Sequence, residues 1–169
     1  DDHQLSPEDF VTVGALAHVC SKIVLKALYC ARIIRLDTYW QVNSLARNVT
    51  KWNKACDKRL HRLMSYMYHT KDRVQTCWVG DKVDDITLVM YVDASFAAEL
   101  EDSKSTSGAY LVLVGPSTWV PLGWMCKKQG AVSHSSSEAE VIALDAALRM
   151  EGIPALMLWE KIVETFSPR

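Results

Sequence analysis

Long apolar runs are missing from this sequence. No stretch approaches the ~20 consecutive apolar residues that a membrane-spanning helix requires, so no membrane association is expected. Glycine and proline are sparse, with 7 and 5 residues, which excludes collagen-like and low-complexity architectures. The cysteines are too few and too irregular for a disulfide scaffold. Cys20, Cys30, Cys56, Cys77 and Cys126 are odd in number and form no C-x-x-C pair, and they read as reduced thiols of an intracellular protein. Neither they nor the 5 histidines have ligand spacing, so zinc is not expected. No leader pattern opens the chain. It begins at Asp1 rather than Met and is read as a piece of a longer product. What is present is ordinary globular material. The 169 residues are 49% hydrophobic and 23% charged, enough for a real core in one domain, or one domain and part of another.

The net charge of −1 conceals an asymmetry. Residues 1–80 carry 12 Lys/Arg and 7 Asp/Glu, whereas residues 81–169 carry 7 and 13. A basic surface beside an acidic one attracts phosphate backbones, and clustered carboxylates bind metal ions. The alternative is two ordinarily solvated surfaces.

The first half has helical periodicity. Ser6-Pro7-Glu8-Asp9 is a helix start, with a capping Ser, Pro in the first turn and acids after it. Phe10, Val13, Leu16, Ala17 and Cys20 follow at helical spacing. A second helix is predicted from Ser21 to Ile34, and a third capped by Asp37 or Thr38. A fourth runs from about Asn53 to His69, with Leu60, Leu63, Met64 and Met67 as its apolar stripe. Past Trp78 the pattern turns to strand. Asp85 to Asp93 is apolar on both faces, as a central, doubly covered strand would be. Ala109 to Val114 and Trp119 to Lys127 follow. Pro121 sends the last of these to a sheet edge, and the short connections favour antiparallel pairing. Helices are then predicted from Glu138 to about Arg149 and from Ala155 to Phe166, interrupted by Gly152 and Pro154. The fold class is α/β: a helical segment over 1–80, then three antiparallel strands plus helices over 81–169, with the boundary near 79–84.

Two features point to chemistry. Asp93 ends the first strand on the face of Val89 and Tyr91, and a charge there needs a partner, a metal or solvent. Glu138-Ala139-Glu140 opens a helix. Carboxylates converging from a strand end and a first helical turn bind Mg²⁺ through oxygen, and two such ions drive phosphodiester hydrolysis. The competing readings are structural. Ser135 with Glu138, and Ser137 with Glu140, fit a capping box. Asp93 fits a strand-ending turn, and Ser105-Thr106-Ser107-Gly108 a loop turn. Tyr91-Val92-Asp93-Ala94 lacks the second Asp of a Y-x-D-D polymerase hairpin, and that assignment is rejected.

From about residue 26 onward the chain resembles the Pol polyprotein of copia-type LTR retrotransposons, at the end of the reverse transcriptase running into ribonuclease H. The first group of matching residues is Ala27-Leu28-Tyr29-Cys30-Ala31-Arg32, Arg35-Leu36-Asp37, Val42-Asn43-Ser44-Leu45-Ala46-Arg47, Trp52, and Lys58 to Leu63 with Tyr66 and Thr70. The second is Val92 to Ala97, Asp102 to Gly108, Trp124 with Lys127-Lys128-Gln129, and Ser135 to Glu140. The resemblance implies a truncated RNase H-like domain with Asp93 and Glu140 as catalytic, metal-binding carboxylates and Glu138 as a second-choice metal ligand. It implies two Mg²⁺ ions in the complete site, with Mn²⁺ as an alternative, and hydrolysis of the RNA strand of an RNA–DNA hybrid. Lys54, Lys58, Arg59, Arg62, Ser105, Thr106 and Ser107 would contact nucleic acid. The rest of the Pol polyprotein would be the partner, in a cytoplasmic particle of the element.

The pattern also departs from the family. Ser95 stands where many relatives carry Asp, Ala98-Glu99 where Gly-Asp is usual, Leu36 for Pro and Cys126 for Ser. The family's third carboxylate, on a fourth strand, is not found before Arg169, so the isolated chain is expected to be catalytically incomplete. The alternative is a non-catalytic RNase H-like nucleic-acid-binding or domesticated interaction module. The reading requires the side chains of residues 93 and 140 to share one cation pocket.

Overall fold

Ser6 and Pro7 start the first helix as the sequence predicts, but α1 (Pro7–Val11) ends after five residues in a computed structural model that describes residues 5–97 and 103–166. Ala98, Glu99 and Asp102 of the family pattern lie outside the described residues. The expected continuation to Cys20 fails because the chain turns extended and lies against residues 52–54. Val13 bridges Asn53, the Gly14 amide donates to the Trp52 carbonyl at 3.3 Å, and the Lys54 amide to the Thr12 carbonyl at 2.9 Å. The approach requires glycine at 14, where a Cβ would stand 2.7 Å from the Asn53 oxygen. The Asp57 carboxylate holds the next turn, accepting from the Ala15 amide and the Trp52 indole, each at 2.6 Å.

The chain divides into two compact units, residues 1–75 and 76–169. The first is helical: α2 (Cys20–Ile33), a 3₁₀ turn (Leu36–Thr38), α3 (Tyr39–Ala46) and α4 (Lys54–His69). Cys20, Val24, Ala27 and Ala31 recur at helical spacing on α2 and are buried with Val42, Leu45, Trp52, Cys56, Leu60 and Leu63. Asn53 caps α4, its side-chain oxygen accepting from the Cys56 amide at 2.9 Å. Burial pushes the Cys56 thiol up from its ordinary value, which keeps it protonated. Four residues of the matched pattern meet in one network. Arg35, 8% exposed, donates twice to Asp37 at 2.9 Å and once to the Thr70 hydroxyl at 2.7 Å. The Tyr66 hydroxyl donates to Asp37 at 2.9 Å. The Arg35 hydrogen bond holds the Asp37 carboxyl below its usual range, and Asp37 in turn raises the guanidinium. This network ties the end of α2 to the end of α4.

The second unit begins earlier than expected because Trp78 pairs with Trp119, their backbones exchanging hydrogen bonds of 3.1 and 2.9 Å. Its sheet has the order β1 (Thr87–Ser95), β2 (Thr106–Gly115), β3 (Thr118–Lys128), all antiparallel. β2 starts three residues before the predicted strand. Thr106, Ser107 and Gly108, which resemble a turn locally, pair with Ser95, Ala94 and Asp93. Cross-strand pairing overrides turn propensity there. Pro121 lies where the β2–β3 register shifts, on the edge strand its missing donor requires. β1 is the other edge strand among the described residues and none of its residues is fully buried, so the central, doubly covered position predicted for it is not seen.

α5 (Ser136–Ala147) packs on β1 and β2. It passes through a π turn (Leu148–Gly152) into α6 (Ile153–Phe166). Pro154 has no amide to offer the preceding turn, and the π turn absorbs that loss. Gly152 lies on Met90, 3.2 Å from where its Cβ would be. No described helix is long and apolar enough to cross a membrane.

Two outcomes follow. Arg35→Ala removes two charge-assisted hydrogen bonds from Asp37, which keeps the Tyr66 hydroxyl, and lowers the unfolding free energy of the first unit by about 2 kcal/mol in denaturant titration. An unchanged midpoint contradicts the clamp. The apolar outer edge of β1 has no Lys, Pro or bulge in its central residues to block pairing. The purified chain is therefore expected to self-associate in size-exclusion chromatography with light scattering, and Tyr91→Lys to reduce this. A monodisperse monomer with a cooperative melt overturns that expectation.

Candidate functional site

The sheet end carrying Asp93 is organised by a buried glutamine. Gln129 is 5% exposed. Its Nε2 donates to the Ser107 hydroxyl at 3.0 Å and to the Ala139 carbonyl at 2.9 Å, and its Oε1 accepts from the Ser133 hydroxyl at 2.9 Å. Ser107 is the register partner of Ala94, the residue after Asp93. Ala139 is the residue before Glu140. The first turn of α5 is thereby fixed beside the Asp93 end of β1 and β2. Lys104 reinforces this end, its ammonium donating to the Gly130 carbonyl at 2.8 Å.

The two predicted catalytic carboxylates are both exposed. Met90 and Val92 pack with Ala109, Met125, Ala146 and Ala147, so that row of β1 faces α5. By strand alternation Asp93 belongs to the opposite row, with Tyr91 and Ser95. Gly108 stands directly across from it. Glu140 leaves α5 beside the buried face of Ala139, Ala143 and Ala147. The two side chains start from different sides of β1, around its outer edge. Among the described residues no group of three or more His, Cys, Asp or Glu side chains is gathered for a metal ion. Mg²⁺ binds through one or two carboxylates with water and substrate phosphate completing its shell. An ion shared by Asp93 and Glu140 requires both side chains to turn towards the outer edge of β1, and a second ion needs further ligands.

Glu138 has the structural role that the capping pattern describes. Ser135 caps α5, accepting from the Glu138 amide at 3.1 Å. The Glu138 carboxylate reaches back to the His134 amide at 2.6 Å. The three hydroxyl residues expected to contact nucleic acid are buried. Ser105 is 0% exposed, Thr106 6% and Ser107 2%. Ser105 accepts from the Ala97 amide at 3.1 Å, and Ser107 serves Gln129. The Thr106 hydroxyl is buried with no partner. These side chains support the sheet end from within. Sequence reasoning missed Gln129 and Ser133 as organisers. A glutamine after two lysines reads as surface, and only its neighbours in space make it internal.

On the helical unit the predicted basic residues divide. Lys54 and Lys58 pair with Asp9, at 3.3 and 2.5 Å, and Asp9 is 1% exposed. The Lys58 hydrogen bond, with the Ser6 amide, holds the Asp9 carboxyl well below the usual carboxylate range against the opposing effect of burial. Arg59 stacks on the Phe10 ring at 5.6 Å. These three residues bind α1 to α4. Arg62 lines a separate groove of about 640 Å³ with Lys58, His61, Ser65, Tyr66 and His69, all on one face of α4. Because Asp9 titrates lower when folded, its contribution to stability is complete above the ordinary carboxylate pKa and is lost as pH falls below it. Asp9→Asn is therefore expected to flatten the acid limb of the stability profile of the helical unit. An acid limb identical to that of the unsubstituted chain contradicts this.

Over 121 residues the chain is 29% identical to the transposon Ty5-1 protein YCL074W of Saccharomyces cerevisiae, covering 71% of this chain and 37% of that protein. Over 122 residues it is 30% identical to the retrovirus-related Pol polyprotein from transposon RE2 of Arabidopsis thaliana, covering 69% of this chain and 8% of that protein. The chain thus spans well under half the length of either relative. No protein-family model matches it, and no solved structure does. Two transposon proteins sharing about 30% identity over some 70% of its length place the chain in the retrotransposon Pol family.

Proposed function

We propose that the chain is the part of a copia-type Pol polyprotein where reverse transcriptase runs into ribonuclease H, and that residues 76–169 carry part of an RNase H-like site. The observation that supports this best is the Ser107–Gln129–Ala139 link, which holds the helix bearing Glu140 to the strand pair bearing Asp93. In this reading the substrate is the RNA strand of an RNA–DNA hybrid. Asp93 and Glu140 hold Mg²⁺, or Mn²⁺ in its place. When bound, the metal lowers the pKa of a water and neutralises charge on the scissile phosphate. Gly108 leaves the surface across from Asp93 bare, so a sugar–phosphate backbone can approach it. Glu138 keeps its capping role.

Two carboxylates fall short of a two-metal centre, so the chemistry belongs to the parent polyprotein. The isolated chain is expected to show negligible cleavage of a labelled hybrid in Mg²⁺. The same segment within a longer Pol product is expected to cleave, and to lose about 100-fold or more in Asp93→Asn and in Glu140→Gln. Efficient cleavage by the isolated chain, or indifference of the longer product to both substitutions, refutes the assignment.

The cationic groove on α4 favours a second reading, a nucleic-acid-binding module without catalysis. It predicts hybrid binding that needs no divalent metal and weakens steeply with salt. Arg62→Ala would reduce the slope of log K against log[salt] by about 0.9 for one lost phosphate contact. Binding that ignores ionic strength points instead to an interaction domain that has kept only the fold.

A further inference from the structure

α5 meets the sheet through Ala139, Ala143 and Ala147, each 0% exposed, spaced four residues apart on one face. An alanine stripe presents no long side chain to interlock with the strands. Such a face lies close to the sheet but offers little resistance to sliding along the helix axis, because packing specificity comes from interdigitated shapes. Near the N-terminal end of this stripe stands Gln129. It joins α5 at the Ala139 carbonyl, the sheet at Ser107 and the preceding loop at Ser133. All of these groups are buried or lie at buried residues. A shifted helix would leave the Gln129 amide without one of its partners in a place water does not reach, a cost that opposes sliding.

We infer that Gln129 is a positioning residue: it pins the axial register of a smooth alanine helix and thereby fixes where Glu140 stands relative to Asp93. The inference rests on the proposed metal-binding role of those two carboxylates for its functional consequence, but not for its structural one. A slip of one residue along the helix axis is about 1.5 Å, enough to disturb a two-carboxylate cation site. Ser135 bonds within α5 itself and does not tie it to the sheet. The π turn meets the sheet at Met90 through Gly152, an apolar contact without the directionality of the Gln129 hydrogen bonds.

The test compares Gln129→Leu, similar in size but unable to donate, with Ala143→Gly, which weakens the same helix while leaving the pin intact. Two readouts are taken on the whole chain: Mn²⁺ affinity by electron paramagnetic resonance, and nuclear Overhauser contacts between the α5 alanines and the Met90–Val92 row. Gln129→Leu is expected to shift those contacts along the helix and, by moving Glu140 relative to Asp93, to weaken Mn²⁺ binding by about 10-fold. Ala143→Gly is expected to change neither, even where its melting temperature falls as far. Unshifted contacts in Gln129→Leu overturn the inference. So does an equal loss of Mn²⁺ affinity in the two variants. If Asp93→Asn and Glu140→Gln leave Mn²⁺ binding unaltered, the metal-site reading fails, and the contact pattern alone still decides the role of Gln129.

Discussion

A buried glutamine amide must find partners for both ends of its side chain, and Gln129 finds them in three places: a strand, a loop and a helix. The second unit depends on this choice. Among the described residues its sheet has three strands, and the helix laid on it presents alanines. The apolar area that alanine buries is small, at about 25 cal/mol per Å², so hydrophobic contact brings α5 to the sheet without specifying where it stops. Directional hydrogen bonds in a site excluded from water provide the specification. The same bonds decide which residues become neighbours of Asp93.

The helical unit solves a comparable problem with charge. Arg35 is nearly buried and Asp9 fully so, and each is surrounded by partners rather than by solvent. A buried ion is tolerated only when its partners are in place. These networks therefore hold the chain to one arrangement: Asp9 fastens α1 to α4, and Arg35 fastens the end of α2 to the end of α4. They also change the meaning of the basic composition. Part of the positive charge of residues 22–73 neutralises internal carboxylates. One surface of this unit that can face a polyanion is the groove along α4 lined by Lys58, His61, Arg62 and His69. The matched motif residues Arg35, Asp37, Tyr66 and Thr70 form one hydrogen-bonded network, and Tyr66 also lines the groove.

Membership of the retrotransposon Pol family gives these two units a context that neither supplies alone. A basic helical unit and a sheet with an exposed terminal carboxylate are the two parts that this segment brings to that family. The matched segment makes up 37% of one relative and 8% of the other.

Local chemistry in the sequence determined much of the architecture. The helical periodicity of Leu60, Leu63, Met64 and Met67, the Asn53 cap, the β-rich run before Asp93 and the edge position of Pro121 all rest on interactions between near neighbours, and each was legible without coordinates. The Ser135 cap was legible for the same reason. Only tertiary structure ended α1 at Val11, because the residues that stop it lie about forty positions away, at 52–54. Only tertiary structure turned Thr106–Gly108 into strand, placed β1 at an edge among the described residues, gave the exposed Lys54 and Lys58 the buried Asp9 as partner, and buried Ser105 and Ser107. Gln129 is the clearest case. A side chain with two donors and an acceptor has no preferred environment of its own, so its role was decided by which distant groups the fold brought within 3.0 Å.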